Sequence, residues 1–460
     1  MALLLFFRDA FRELFRGSLV YWSWIFFLWA LIALGVWNYI GQLTNGLVVT
    51  NMSNQVSWGF YISNFTFLVG VAAAAVMLVI PAYIFDRKDI RDVVLLGDTM
   101  AVTAVLMAML FVIVDIGRPD RIWHMIPLIG RFNFPASLLA WDVVVLSGYL
   151  LLNLGISFYL LFNHYQGREV KLKTYLPVIM LAIFWAISIH TVTAFLYSAN
   201  TGRPFWHNAL LAPRFIASAF CSGPALAIII LQVVRKLAGY PVRQSAIDTL
   251  AITMSVSLQI TLFFFFAELF TDFYFEHAHS ASARYLFFGL DGHTGLTPWI
   301  WTAVVLLTVA VVILMIHPLR RHPVSMNFAF VLTVVGIWIE KGMGLVIPAF
   351  VPTPIGEIFE YTPSLVELGV TLGVWGIGLL VFTLLAKAAI PIECGVLRAP
   401  GVQMPSTRCA VSPGRPVPPE RNLAGDWLEA ATGVVGCRVR RQRSVDPGLR
   451  SRVRQAPDPV

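Results

Sequence analysis

Ten long apolar runs dominate this chain, and each is long enough to cross a bilayer. They fall at about 19–41, 58–84, 93–116, 137–163, 175–199, 213–235, 246–275, 298–317, 326–347 and 365–388. A helix needs about 20 mainly apolar residues to span a ~30 Å hydrocarbon core. Transmembrane strands are about ten residues long and alternate in polarity. These runs are twice that length and apolar on every face, so the chain is read as all-α, a polytopic membrane protein with about ten transmembrane helices. Charged residues make up only 13% of the sequence, about half the usual share in a soluble domain.

Three segments follow. Residues 1–18 carry Arg8, Arg12 and Arg16 opposite Phe7, Phe11, Leu14 and Phe15, the pattern of an interfacial amphipathic helix. No small-residue cleavage site follows, so it is not read as a signal peptide. Residues 19–393 form the membrane domain. Residues 394–460 are Pro- and Arg-rich without apolar periodicity and read as a disordered basic tail. That tail either binds anionic lipid through stretches such as 438–443 or is an out-of-frame reading of a GC-rich gene. It holds +6 of the net +8 charge, so the basic pI does not point to nucleic acid, and none is expected as a partner.

Lys and Arg are unequally shared between alternate loops, which sets orientation. Arg8, Arg12, Arg16, Arg87, Lys88, Arg91, Arg168, Lys171, Lys173, Arg235, Lys236, Arg243, Arg320 and Arg321 lie on one side. Only Arg118, Arg121, Arg131, Arg203, Arg214 and Arg284 lie on the other. Both termini are therefore expected in the cytoplasm, and the six remaining arginines need another role.

Ionisable residues inside a span cost about 2.5–3.5 kcal/mol each on insertion scales. Those within or bounding these spans are Asp98, Asp115, Asp142, His190, Glu268, Asp272, Glu340, Lys341 and Glu367. Asp98 and Glu367 suit interhelical hydrogen bonds, and the adjacent Glu340–Lys341 suits a pair that neutralises itself. Glu268 and Asp272, spaced i, i+4, share one helix face. Glu276, His277 and His279 after them read as a solvated helix end. Span three ends in AspIleGlyArgProAspArgIleTrpHis (115–124), and span five in AsnThrGlyArgProPheTrpHis (200–207). Arg118 either caps the helix dipole or, with Trp123, His124 and Asp142, borders a pocket able to bond a quinone's carbonyls and exchange its protons. Of nine His, only His190 lies well inside a span, so two buried ligands for a membrane haem are lacking. That leaves at most an interfacial haem on His124 or His207. Iron–sulfur ligation by four close Cys is also lacking, and no metal site is expected.

SerTrpGlyPheTyrIleSer (57–63), the Gly-Arg-Pro loops, AsnPheProAlaSerLeuLeuAlaTrpAsp (133–142) and residues 339–364 resemble the polysulfide reductase membrane-subunit family, or NrfD-like proteins. The resemblance covers about residues 1–395 and is strongest to the long DsrP/HmcC branch. It implies two four-helix bundles, spans two to five and six to nine, with flanking helices. It implies a bacterial inner-membrane subunit that exchanges electrons between the quinone pool (menaquinone or ubiquinone) and a periplasmic ferredoxin-like iron–sulfur subunit. No redox centre of its own is implied. A multihaem cytochrome c and a cytochrome b-type subunit in sulfur metabolism are implied as companions. The quinone pocket would involve His124, Asp142 and Arg118, with Asp115, Trp123 and Arg203 nearby. His190, Glu268 and Asp272 would be proton-path candidates, and the outer arginines a docking face. A proton-coupled transporter is the alternative, although no pair of Gly/Pro-broken helices is apparent. A structural anchor for the iron–sulfur subunit is the other.

Overall fold

The computed structural model describes residues 1–402, except 169, 171, 276 and 277 and the side chains of 172–174, 278 and 279. Among these residues are ten helices long and apolar enough to span a membrane. The helices are α1 (Ala2–Leu14), α2 (Leu19–Asn45), α3 (Phe60–Ile84), α4 (Val94–Asp115), α5 (Leu138–Tyr165), α6 (Leu172–Ser198), α7 (Leu211–Ala238), α8 (Gln244–Tyr274), α9 (Ala278–Phe288), α10 (Thr297–Met315), α11 (Pro323–Phe350) and α12 (Leu365–Glu393). The predicted spans correspond to α2–α8 and α10–α12. The short α9 is an addition to the predicted set. Of the predicted solvated end of α8, Glu276, His277 and the His279 side chain lie outside the described residues.

The termini of these helices follow from local chemistry. Ser137 caps α5 by accepting from the Ala140 N–H at 3.4 Å. Ser364 and Glu367 form a reciprocal capping box on α12, satisfying two of the donors left over at a helix start. Gly239 ends α7 in the left-handed conformation, φ 64°, which suits a residue without Cβ.

Helices α3–α6 pack as one bundle and α7, α8, α10 and α11 as a second, as the family resemblance implied. The bundles meet along α7, which contacts α3, α4 and α6. Two flanking helices, α2 and α12, pack on each other, and α12 packs against α4. They cross so closely that a Cβ on Gly35 would lie 2.4 Å from the Gly373 Cα; only glycine permits that approach.

Helices α3 and α11 are among the most buried spans and are both irregular. Helix α3 breaks step at Ala73 and ends in a π turn at Ile80–Ile84 containing Pro81. At the break, Ala73 and Ala74 face Gly223 of α7, where a Cβ would lie 2.9 Å from the Ala74 nitrogen. Helix α11 carries a π turn at Ile339–Met343. Such turns insert a residue into the helical ladder and often mark functional positions. No interrupted pair is apparent from the sequence alone.

The amphipathic reading of α1 extends to one buried anchor, Phe6, set edge-on against Phe158, Phe162 and Tyr165. Phe7, Phe11 and Phe15 remain exposed. After α12, residues 394–402 fold back, and the Ala399 N–H donates to the Tyr165 carbonyl at 2.9 Å. The rest of the anticipated disordered tail, from residue 403, lies outside the described residues.

Candidate functional site

One end of the helix array, here the aromatic end, carries the loops 46–59, 116–137, 199–210 and 351–364. At its centre the Gly-Arg-Pro loop after α6 turns through Asn200–Pro204 and delivers Trp206 into the protein. Trp206 is fully buried and its Nε1–H donates to the Leu345 carbonyl at 2.8 Å. Trp58 stacks on it at 5.4 Å, and Tyr197 stands edge-on to both at 5.1 and 5.7 Å. The Arg203 guanidinium lies 4.3 Å from the Phe350 ring centroid, a cation–π contact. Partial burial draws its pKa below the usual arginine value. Trp58, Arg203 and Phe350, with Ser57, Asn200, Gly202 and Pro354, line an open cavity of about 420 Å³. That volume, aromatic walls and one cation suit a flat carbonyl-bearing ring.

Below the aromatic floor a line of hydroxyls enters the first bundle. The Thr66 hydroxyl gives its proton to the Ile62 carbonyl at 2.7 Å, so Tyr197 is the donor in the Tyr197–Thr66 hydrogen bond. One turn earlier on α6, Thr193 donates to Asp142 Oδ1 at 2.7 Å. Asp142 is 1% exposed and has no cation bonded to it among the described residues. His190, one turn further along α6, is equally buried, and neither ring nitrogen has a hydrogen-bond partner there. Toward the other, basic end follow Tyr149, whose hydroxyl donates to the Ala72 carbonyl at 3.3 Å, and Asp98, whose Oδ2 is unpartnered.

The second bundle treats its charges differently. Arg214, at the start of α7, bonds Glu268 of α8 through one terminal nitrogen and Glu340 of α11 through the other. Lys341 donates to the Phe215 carbonyl at 3.3 Å and lies 4.0 Å from the Phe215 ring centroid. Two cations thus face two carboxylates, all at least nine-tenths buried. Two expectations need correction. Glu340 and Lys341 are not a self-contained pair: neighbours on a helix project about 100° apart, and Glu340 forms its ion pair with Arg214. Arg214 is not part of an outward docking face, since its guanidinium is taken up by two interior carboxylates. Asp272 is buried on the same helix as Glu268, as the i, i+4 spacing predicted.

A third polar group joins the flanking helices at the aromatic end. Glu367 accepts from the Tyr361 hydroxyl and, at 3.1 and 2.9 Å, from the Asn51 and Ser364 N–H groups. Tyr361 in turn accepts from the Phe60 N–H at 2.8 Å. Burial, followed by the Glu367 charge, raises the Tyr361 phenol well above its ordinary pKa. Beside it, Tyr61 donates to Gln42 and Gln42 to the Val114 carbonyl, at 2.8 and 2.7 Å. These bonds tie α2, α3, α4 and α12 together; Asp115, partly buried with Oδ1 unpartnered, ends α4 in the same region.

The loop candidates stand apart from Asp142. Arg118 is exposed and bonds Asp120 at 2.9–3.0 Å, which holds the Asp120 carboxyl below its usual pKa. His124 stacks on the exposed Trp123 at 3.9 Å. Among the described residues no hydrogen bond or ion pair joins Arg118, His124 and Asp142. Sequence reasoning singled out Asp142 and Arg203 but missed Trp58, Thr66, Thr193 and Tyr197. For Thr193 a signal was available: with His190 and Tyr197 it lies at i+3 and i+7 on one face of an apolar helix.

A family model described as "Polysulphide reductase, NrfD" matches residues 48–350. Three relatives align along most of their length. A putative dimethyl sulfoxide reductase membrane subunit of Halobacterium salinarum is 28% identical, covering 81% of this chain and 91% of that one. An Hdr-like menaquinol oxidoreductase integral membrane subunit of Archaeoglobus fulgidus is 25% identical, covering 83% and 96%. A selenate reductase subunit of Mesobacillus selenatarsenatis is 23% identical, covering 76% and 89%. The family match extends from the loop before α3 to the end of α11, encompassing both bundles and the lining of the aromatic cavity except Pro354, and this chain belongs to the NrfD family of polysulphide reductase membrane proteins.

Proposed function

We propose that this chain is the quinone-handling membrane subunit of a multi-subunit redox complex, with the quinone head held in the Trp58–Arg203–Phe350 cavity. The observation that carries this reading is that Trp58 in the cavity wall packs on Tyr197, whose helix holds Asp142 through Thr193 one turn away. The name of the menaquinol relative supports the ligand class. A quinone supplies two-electron, two-proton redox chemistry at its paired carbonyls. Arg203 orients one carbonyl by a charged hydrogen bond, the Trp58 and Phe350 faces hold the ring, and Asp142 is the group that takes up or returns a proton.

The aromatic end is assigned to the outer side of a bacterial inner membrane, with both termini cytoplasmic. A periplasmic iron–sulfur partner would dock there on loop 116–137, where Arg118, Arg121, Arg131, Trp123 and His124 are available to steer an acidic surface. In this assignment His124 and Arg118 serve docking, and Asp142 serves the quinone. Multihaem and cytochrome b-type companions in sulfur metabolism complete the proposed complex.

The test is binding of a quinone analogue to the purified protein, followed by quenching of tryptophan fluorescence. Arg203→Leu is expected to weaken binding about tenfold, the weight of one charged hydrogen bond. Equal affinity in wild type, Arg203→Leu and Trp58→Leu would remove the cavity assignment.

A further inference from the structure

The cavity at the aromatic end is walled by three stretches of chain. Ser57 and Trp58 precede α3, Asn200, Gly202 and Arg203 follow α6, and Phe350 and Pro354 lie at the end of α11 and in the loop to α12. Trp58 offers the ring face, yet its own backbone is loosely held. Among the described residues neither Ser57 nor Trp58 makes a backbone hydrogen bond, and the nearest anchored positions are Val56, whose N–H reaches Ser53, and Phe60.

Phe60 is anchored from far away. Helix α3 has Gly59 at its N-cap and no side-chain cap of its own, so its first-turn N–H groups lack the oxygen that Ser, Thr, Asp or Asn would bring. The oxygen comes from Tyr361, whose phenol accepts from the Phe60 N–H at 2.8 Å. Glycine is what admits that ring, because a Cβ at position 59 would lie 2.5 Å from the Tyr361 Cζ. The phenol gives its own proton to Glu367. Glu367 also gathers the Asn51 N–H at 3.1 Å, and Asn51 Nδ2 donates to the Thr362 carbonyl at 2.8 Å. Tyr361 and Glu367 are 3% and 0% exposed, so water does not compete for these bonds. One residue earlier the same loop is fastened the other way: Glu360 accepts from the Gly295 N–H at 2.7 Å and lies 3.4 Å from His293.

We infer that Tyr361 and Glu367 are positioning residues for the cavity: through the Phe60 N–H and Asn51 they hold the loop before α3 against the loop after α11 and so fix the Trp58 face. The inference rests on the quinone reading of this cavity and adds to it the groups that keep the ring wall in place. Neither residue lines the cavity or exchanges a proton with the ligand.

The experiment is ¹⁹F NMR on the full chain in detergent with 5-fluorotryptophan incorporated, the Trp58 resonance being the one lost in Trp58→Phe. Tyr361→Phe keeps the ring and removes the oxygen; it should shift and broaden the Trp58 resonance and leave those of Trp24 and Trp185 in place. Asn51→Ala, a milder release of the same clamp, should displace it less. Glu360→Ala, which frees the loop only from Gly295, should not displace it. Calorimetric titration with a short-tailed quinone analogue should then show about fivefold weaker binding in Tyr361→Phe, the weight of one neutral hydrogen bond. An unmoved Trp58 resonance in Tyr361→Phe, an equal displacement in Glu360→Ala, or undiminished affinity in Tyr361→Phe would each overturn the inference. Wild-type protein that does not bind the analogue, while Tyr361→Phe still displaces the Trp58 resonance, sinks the proposed function and leaves the clamp on Trp58 standing.

Discussion

The two bundles share an architecture and differ in how they hold buried acids. In the second, Glu268 and Glu340 are gripped by one guanidinium, with the Lys341 ammonium close by. In the first, Asp142 receives a threonine hydroxyl, and neither it nor Asp98 is paired with a cation among the described residues. A buried ion pair resists change because removing either member strands the other. An acid held only by neutral donors can exchange a proton without breaking a salt link. In the proposed function, the second bundle is a structural core built on ion pairs and the first carries the proton chemistry. The cavity at the aromatic end is lined by loops of both bundles, and Trp58 in its wall packs on Tyr197 of the first.

The largest expected effect strikes the structural bundle. Arg214→Met leaves two carboxylates without their guanidinium, and the loss is expected to be about 3–5 kcal/mol, read as a collapse of thermal stability and monodisperse yield in detergent. Adding Glu268→Gln and Glu340→Gln should recover much of that yield. If the triple variant stays as unstable as the single one, the cluster is not held by charge balance.

Next in size is the effect on catalysis in the first bundle. Asp142→Asn retains an oxygen for Thr193 and should leave the melting temperature nearly unchanged, while quinol-dependent turnover falls about 10²–10⁴-fold. Glu340→Gln should show the reverse, a clear stability loss with smaller effect on turnover per folded molecule. Matching phenotypes in the two variants would erase the distinction between the bundles.

Smaller changes belong to the loops. Arg118→Gln and His124→Ala should leave turnover with a soluble artificial acceptor unchanged, but slow electron transfer to the proposed iron–sulfur partner severalfold and flatten its salt dependence. Sequence reasoning alone expects His124→Ala to abolish quinol-dependent transfer, so this variant separates the two accounts. The smallest effect concerns α1. The Tyr165 hydroxyl donates to Asp9 at 2.7 Å and holds its carboxyl below the usual range. A lowered pKa contributes stability above the ordinary carboxylate range, lost as pH falls through the lowered value. Protease protection of α1 should therefore be flat near neutrality and weaken only in acid, and Tyr165→Phe should make it weaker and less pH-dependent.

Much of the fold was legible because hydrophobic length is a one-dimensional property. The predicted 246–275, for example, differs from Gln244–Tyr274 by only a few residues. Asp142 stood out for a similar reason, as a charge within an apolar run. What the sequence could not convey was which side chains meet across helices. Arg214 looked like one more loop arginine because its partners lie 54 and 126 residues away. Glu340 and Lys341 looked like a self-contained pair because adjacency in sequence hides their divergence on a helix. The π turns escaped notice because an inserted residue leaves no compositional trace, and Tyr197 did because a buried tyrosine in an aromatic-rich chain resembles ordinary packing.

Infrared difference spectroscopy on quinone reduction in the purified protein tests the central claim most directly, since it registers a carboxyl group that changes its protonation or hydrogen bonding. A carboxyl band is expected in wild type and in Glu340→Gln, and should vanish in Asp142→Asn. A band that survives in Asp142→Asn, with quinol turnover intact, would contradict the assignment of proton exchange to the first bundle.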